Sequence, residues 1–154
     1  MPSIRTRFFG VVECALEDVI TFPAGIPPFA GSTQFVLMSD ERKRPLLFLQ
    51  SVNEEHLCFI TIPIRVLDAD YEFAVEPHDL QVVQWREERQ PSFDDLVCLG
   101  ILTVPESGAV TANLLAPVLI NSAAQLGVQA VRADSLYRHA HALDHPIHAG
   151  GAAC

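Results

Sequence analysis

A chain of 154 residues, 49% of them hydrophobic, is long enough for one domain with a real core and too short for two. Its 19 Asp and Glu against 10 Lys and Arg leave a formal net charge of −9, which argues against direct nucleic-acid binding, since phosphate needs a basic stripe, and favours encounter with a basic protein. Neither the start, Met1 to Phe8, nor any later run has the apolar length of a secretory signal or membrane span, so a soluble, cytoplasmic protein without membrane contacts is expected.

Turn chemistry at short intervals predicts an all-β fold. The first expected strand is Arg7 to Ala15, followed by Val19 to Phe22. The stretch from Phe22 to Phe29 then breaks regular structure, because Pro23, Pro27 and Pro28 remove backbone donors and Gly25 permits positive φ. Further strands are expected at Gln34 to Met38, Leu46 to Val52 and Leu57 to Pro63, the last two joined by a hairpin turn at Asn53-Glu54-Glu55-His56. Arg42-Lys43-Arg44 follows Asp40-Glu41, so its charge is balanced locally and it is a solvated turn.

Tyr71-Glu72-Phe73-Ala74-Val75-Glu76 alternates apolar and polar positions and predicts a half-buried strand with an acidic outer face. Periodicity does not decide whether Asp79 to Trp85 is a short helix or a strand. Ser92-Phe93-Asp94-Asp95 has capping-box spacing, but the run behind it, Leu96 to Val104, is β-like, so a turn into a central strand is expected. Val110 to Leu115, Pro117 to Asn121 and Val128 to Arg132 supply the closing strands. These readings divide the chain into a β domain over 1–134 and a tail over 135–154, with a short helix beginning at Ser135-Leu136-Tyr137-Arg138 or a frayed end.

The sequence contains no Gly-x-Ser-x-Gly elbow, phosphate loop, dinucleotide fingerprint or His-Glu-x-x-His pair. The acidic pairs Asp68/Asp70 and Asp94/Asp95 sit in turns with no fixed partner for acid–base work. Cys14, Cys58, Cys98 and Cys154 are too dispersed for a metal clip and are expected as free thiols. His139, His141, His145 and His148 include one i,i+4 pair, but Pro146 interrupts any helix and no acid or thiol completes a tetrahedral set. They are taken as a titrating tail. The expectation is therefore no catalytic centre, no metal and no cofactor.

Several motifs occur in a fixed order: Phe8-Phe9-Gly10, Ile20 to Phe29 with its Phe-Pro-Ala-Gly-Ile core, Phe48-Leu49-Gln50-Ser51, Asp70 to Phe73, Asn113 to Asn121, and Gly127-Val128-Gln129. Together they resemble the FliW family of flagellar assembly factors over about residues 7 to 132. The resemblance implies a small antiparallel β-barrel-like domain, monomeric when free, that binds the translational repressor CsrA and also flagellin. CsrA is an RNA-binding protein that represses flagellin mRNA. Its capture relieves repression, and accumulating flagellin restores it. A flagellin-only chaperone and a metal-binding protein using the C-terminal histidines are the alternatives.

The residues suggest where such contacts lie. Ile26, Pro27 and Phe29 form a rigid loop that can present an anchor at low entropic cost, and Glu72 and Glu76 can surround it with negative charge. Each also has an ordinary reading: Phe29 as a cap on the barrel, Glu72 as a plain exposed strand residue. Asn113 and Asn121 bracket an apolar segment, and a hydrogen bond to a neighbouring loop is preferred to an amide offered to a partner. Family members commonly carry Gly where this chain has Pro28.

Overall fold

A computed structural model describes residues 2–143. In chain order the elements are β1 (Ser3–Arg5), β2 (Val11–Glu13), β3 (Val19–Thr21), β4 (Gln34–Ser39), β5 (Leu47–Ser51), β6 (Cys58–Pro63), α1 (Ile64–Leu67), α2 (Pro77–Val82), β7 (Val97–Thr103), β8 (Thr111–Ala112), β9 (Val118–Asn121), β10 (Leu126–Gln129) and β11 (His141–Ala142). Strands β3 to β7 pair successively and antiparallel. β7 then pairs a second neighbour, β9, through Cys98↔Leu119. β9 pairs β10, and β10 meets β3 in parallel at Leu126↔Thr21. That circuit, β3-β4-β5-β6-β7-β9-β10, is a closed barrel of seven strands.

The parallel seam is one residue pair long and depends on side-chain help. Gln125 has φ of 55°, and its amide nitrogen donates to the carbonyls of Leu16 (3.2 Å) and Val19 (3.0 Å). The Thr21 N–H donates back to the Gln125 carbonyl at 2.9 Å.

Alternation along the strands divides the apolar residues among three clusters. Phe22, Ile26, Phe35, Leu49, Leu99, Val118 and Ile120 fill the barrel. On the outer face, Phe48, Ile62, Tyr71, Cys98, Leu114 and Leu119 belong to a layer roofed by α1, α2 and the strap formed by residues 71–76. Ile4, Cys14 and Val36 lie under the β1–β2 hairpin. Cys14, Cys58 and Cys98 are buried free thiols, and burial pushes those of Cys58 and Cys98 up to about 12, far from the thiolate form.

Several expectations need correction. The strand expected from Arg7 shrinks to Val11–Glu13, because Thr6 to Gly10 is a turn in which the Thr6 hydroxyl accepts from the Phe9 N–H (2.9 Å) and donates to the Gly10 carbonyl (2.7 Å). Tyr71 to Glu76 is no ladder strand, although Tyr71 and Val75 are buried and Glu72 and Glu76 exposed as the alternation implies. It crosses the outer face with a single bridge, Val75↔Arg132. The Gln90 amide replaces a neighbouring strand, accepting from the Val75 N–H (2.9 Å) and donating to its carbonyl (3.1 Å).

Of residues 79–85, Asp79 to Val82 belong to the helix α2 and the rest to a turn, with Pro77 in the helix's first turn, where a missing N–H costs nothing. The Ser92-x-x-Asp95 spacing is a turn ahead of β7: the Asp95 carboxylate accepts from the Ser92 N–H (2.8 Å) and hydroxyl (2.9 Å). Nor does the described chain separate at Asp134. Ser135 to Arg138 is not helical; the Arg138 carbonyl accepts from the N–H of Leu114 (2.9 Å), and β11 pairs β8.

Candidate functional site

The loop from Phe22 to Ser32 is folded against itself. The Gly25 N–H donates to the Phe22 carbonyl (2.8 Å), the Phe29 N–H to the Ile26 carbonyl (2.7 Å), and the Ser32 N–H to the Phe29 carbonyl (3.1 Å). Gly25 sits at φ +67°, where a Cβ would lie 2.7 Å from the Ala30 Cα and the Phe29 carbonyl oxygen, so only glycine allows this crossing. The loop therefore presents one fixed shape.

Its residues split between core and surface. Ile26 is fully buried in the barrel; it is a core plug, and its expected role as a partner contact is corrected. Pro27 and Pro28 are exposed. Phe29 is 44% exposed, and its ring stands edge-on to Phe59 with centroids 6.0 Å apart. The Pro27–Pro28 peptide is cis.

Opposite Phe29 lies the β5–β6 turn, and an open concavity of about 600 Å³ separates the two. Phe29, Leu57 and Phe59 make its apolar part, while Glu54, Glu55 and Arg7 bring charge. Ser32 bridges loop and turn by donating its hydroxyl hydrogen to Glu54 Oε2 at 2.5 Å. The turn itself is set by Gln50, fully buried, whose amide nitrogen lies 3.0–3.2 Å from the carbonyls of Ser51, Glu54, Glu55 and Leu57. Gln50 Oε1 accepts from the Arg7 N–H at 2.9 Å. One side chain thus ties the N-terminal segment to the wall of the concavity. Its polar character inside the apolar run Leu47 to Ser51 was the available signal, because a buried amide must find partners for all its polar atoms.

The remaining expected residues lie elsewhere or have structural work. Glu72 and Glu76 are exposed on the strap, and neither forms an ion pair among the described residues. No hydrogen bond or ion pair links them to the Phe29 loop. Asn113 Oδ1 accepts from the N–H groups of Leu115 (3.1 Å) and Ala116 (2.9 Å), which shapes the approach to β9. Asn121 Nδ2 donates to the Val83 carbonyl at 2.7 Å, tying the end of β9 to the end of α2. Asn121→Ala is expected to lose about 1–2 kcal/mol in urea unfolding, because it strands a carbonyl, with partner affinity per folded molecule unchanged.

Sequence reasoning also assigned no role to Arg132, which is 7% exposed. Its guanidinium donates to both Asp134 carboxylate oxygens (2.8 and 3.0 Å) and to the Glu72 carbonyl (2.6 Å). It lies 4.8 Å from the Tyr71 ring centroid and 4.5 Å from that of Tyr137. Burial alone weakens its hold on the proton, but Asp134 and Tyr71 outweigh that and raise its pKa further. Of the expected tail histidines, His139 is exposed and His141 is half-buried in β11; His145 and His148 lie outside the described residues. Among the described residues no three His, Cys, Asp or Glu side chains gather as metal ligands do, and no helix is long and apolar enough to cross a membrane.

The surface is therefore a rigid aromatic rim over a charged concavity. Residues 3–143 match the family model described as FliW protein. The flagellar assembly factor FliW of Natranaerobius thermophilus is 33% identical over 143 residues, covering 92% of this chain and 91% of its own. That of Bacillus subtilis is 32% identical over 152 residues, covering 98% and 99%. A crystal structure of the flagellar assembly factor FliW superposes with a TM-score of 0.81 at 33% identity, covering 94% of this chain and 98% of that one. The chain belongs to the FliW family of flagellar assembly factors.

Proposed function

We propose that this protein is a regulatory binding protein of the cytoplasm that sequesters CsrA and binds flagellin, coupling flagellin synthesis to flagellum assembly. The observation that carries this reading is the family match across residues 3–143. Two physical features support it. A net charge of −9 suits a basic, RNA-binding partner, because electrostatic complementarity raises on-rate and specificity. Phe29 is an aromatic group held half out of the core by a loop that needs no ordering on binding, which is the character of an interface anchor.

Pro27 and Phe29 are the proposed contacts, with Glu54 and Glu55 added by the geometry and Glu72 and Glu76 forming a second acidic group. A CsrA–RNA binding assay with this protein titrated in tests the function. Release of RNA at micromolar protein is expected, whereas flagellin binding without any effect on CsrA–RNA affinity would favour a flagellin-only chaperone. Phe29→Ala is expected to weaken the complex on the order of 30-fold, the effect of losing an interface anchor of about 2 kcal/mol. Unchanged affinity in a folded Phe29→Ala protein would remove the loop from the interface.

A further inference from the structure

The β1–β2 hairpin leaves a strand edge open. β2 has one neighbour, β1, in register Ser3↔Glu13, Ile4↔Val12 and Arg5↔Val11. The Thr6 N–H donates to the Gly10 carbonyl and the Cys14 N–H to the Pro2 carbonyl. These bonds assign the even positions of β2 to the β1 side, since the bonding direction of an antiparallel ladder alternates residue by residue. The N–H and C=O groups of Val11 and Glu13 therefore point away from β1. No strand among the described residues pairs with them.

That edge borders a groove of about 450 Å³. Its wall includes Val12 and Glu13 of β2 and the following Cys14 but no residue of β1, so the groove lies on the unpaired side. Ile20, Leu37, Val97 and Ile120, at one end of the barrel, give it an apolar floor. Glu13, Glu17 and Asp18 line it and no Lys, Arg or His does; none of the three acids forms an ion pair among the described residues. The concavity beside Phe29 differs in containing Arg7 and His56. Natural sheets blunt open edges with short strands, charge, Pro or a bulge; β2 is short and carries Glu13, but it has no Lys, no Pro and no bulge in its register with β1. Val11 is 68% exposed.

We propose that the free edge of β2 accepts an extended segment of another protein as a third strand, with alternating basic and apolar residues. Its backbone would complete the hydrogen bonds of Val11 and Glu13. Its apolar side chains would enter the groove, and its cations would meet Glu13, Glu17 and Asp18, as in recognition by strand addition generally. A second copy of this chain is disfavoured as occupant, because joining two β2 edges brings Glu13, Glu17 and Asp18 against the same acids. This inference does not depend on which partner the Phe29 surface takes.

The test uses the full chain and a capped Lys-Val-Lys-Val-Lys-Val-Lys peptide, read by amide hydrogen exchange. At saturating peptide the exchange of the Val11 and Glu13 amides is expected to slow about tenfold or more, while Val12, already bonded, changes little. The effect should vanish with a peptide N-methylated on the residues facing β2, with Glu in place of Lys, and in a Glu13→Lys/Glu17→Lys variant of unchanged circular dichroism. Equal protection by the N-methylated peptide would mean diffuse charge attraction and would overturn the proposal. So would unprotected Val11 and Glu13, or protection that grows with protein concentration without peptide, which would assign the edge to a second copy.

Discussion

Replacing Arg132 by Met is expected to cost about 3 kcal/mol of stability, through the loss of charge-assisted hydrogen bonds and cation–π contacts. Met keeps much of the stem but leaves the Glu72 carbonyl without its donor and removes the cation that lies beside both the Tyr71 and Tyr137 rings. The strap, through Tyr71 and Glu72, and the C-terminal segment, through Asp134 and Tyr137, meet at this guanidinium. The variant should therefore unfold at lower urea and also show faster amide exchange in residues 111–143. Arg132→Lys should recover only part of the loss, since an ammonium cannot bond both Asp134 oxygens and the Glu72 carbonyl in one plane. Wild-type stability after Arg132→Met would show that the tyrosines and β11 hold this layer unaided.

The same clamp has an acid limit. Arg132 holds the Asp134 carboxyl below its ordinary value, so its contribution is complete above the unfolded carboxylate pKa and is lost as pH falls through the lowered one. The Arg132→Met protein lacks that component. The stability gap between the two chains should narrow on acidification through and below the ordinary carboxylate range, as urea midpoints across pH would record.

Much of the barrel was legible because β4, β5, β6 and β7 carry apolar runs long enough to read as strands, and turn residues separate most of them. The parts that escaped are those where period carries little information. β1 has three residues and β11 two. The β10–β3 seam is one residue pair held by Gln125, and no pattern announces it. Tyr71 to Glu76 has the right alternation and the wrong conclusion, because a strap crossing a sheet can also bury its apolar ends, Tyr71 and Val75, and expose Glu72 and Glu76.

At the site the difficulty was different. Ile26 and Phe29 are apolar neighbours in one Pro-rich loop, and only the crossing at Gly25 decides that the first points inward and the second partly outward. Gln50 entered only as part of the Phe48 to Ser51 motif and Arg132 only as the end of an expected strand, because a lone polar residue beside an apolar run does not announce its partners. In the folded chain such residues are the ones whose hydrogen bonds fasten one segment to the next.

Gly127→Ala is the second large effect, and it joins the barrel interior to the Phe29 surface. Gly127 pairs with Ile120 across β9 and β10, and an added Cβ would fall under 3.0 Å from three carbons of the Phe22 ring. That ring is fully buried and packs edge-on to Phe35 at 5.3 Å, so it has no space to retreat. A cost of about 3 kcal/mol is expected, at the upper end for overpacking a core. In a double-mutant cycle with Phe22→Leu, which removes the ring, the combined loss should fall short of the sum by about 1 kcal/mol or more. Strict additivity would mean that the strain is relieved elsewhere. Phe22 also begins the loop that carries Phe29, its carbonyl accepting from Gly25. A displaced ring should therefore shift the anchor, and the folded fraction of Gly127→Ala should bind its partner more weakly, although residue 127 is itself buried.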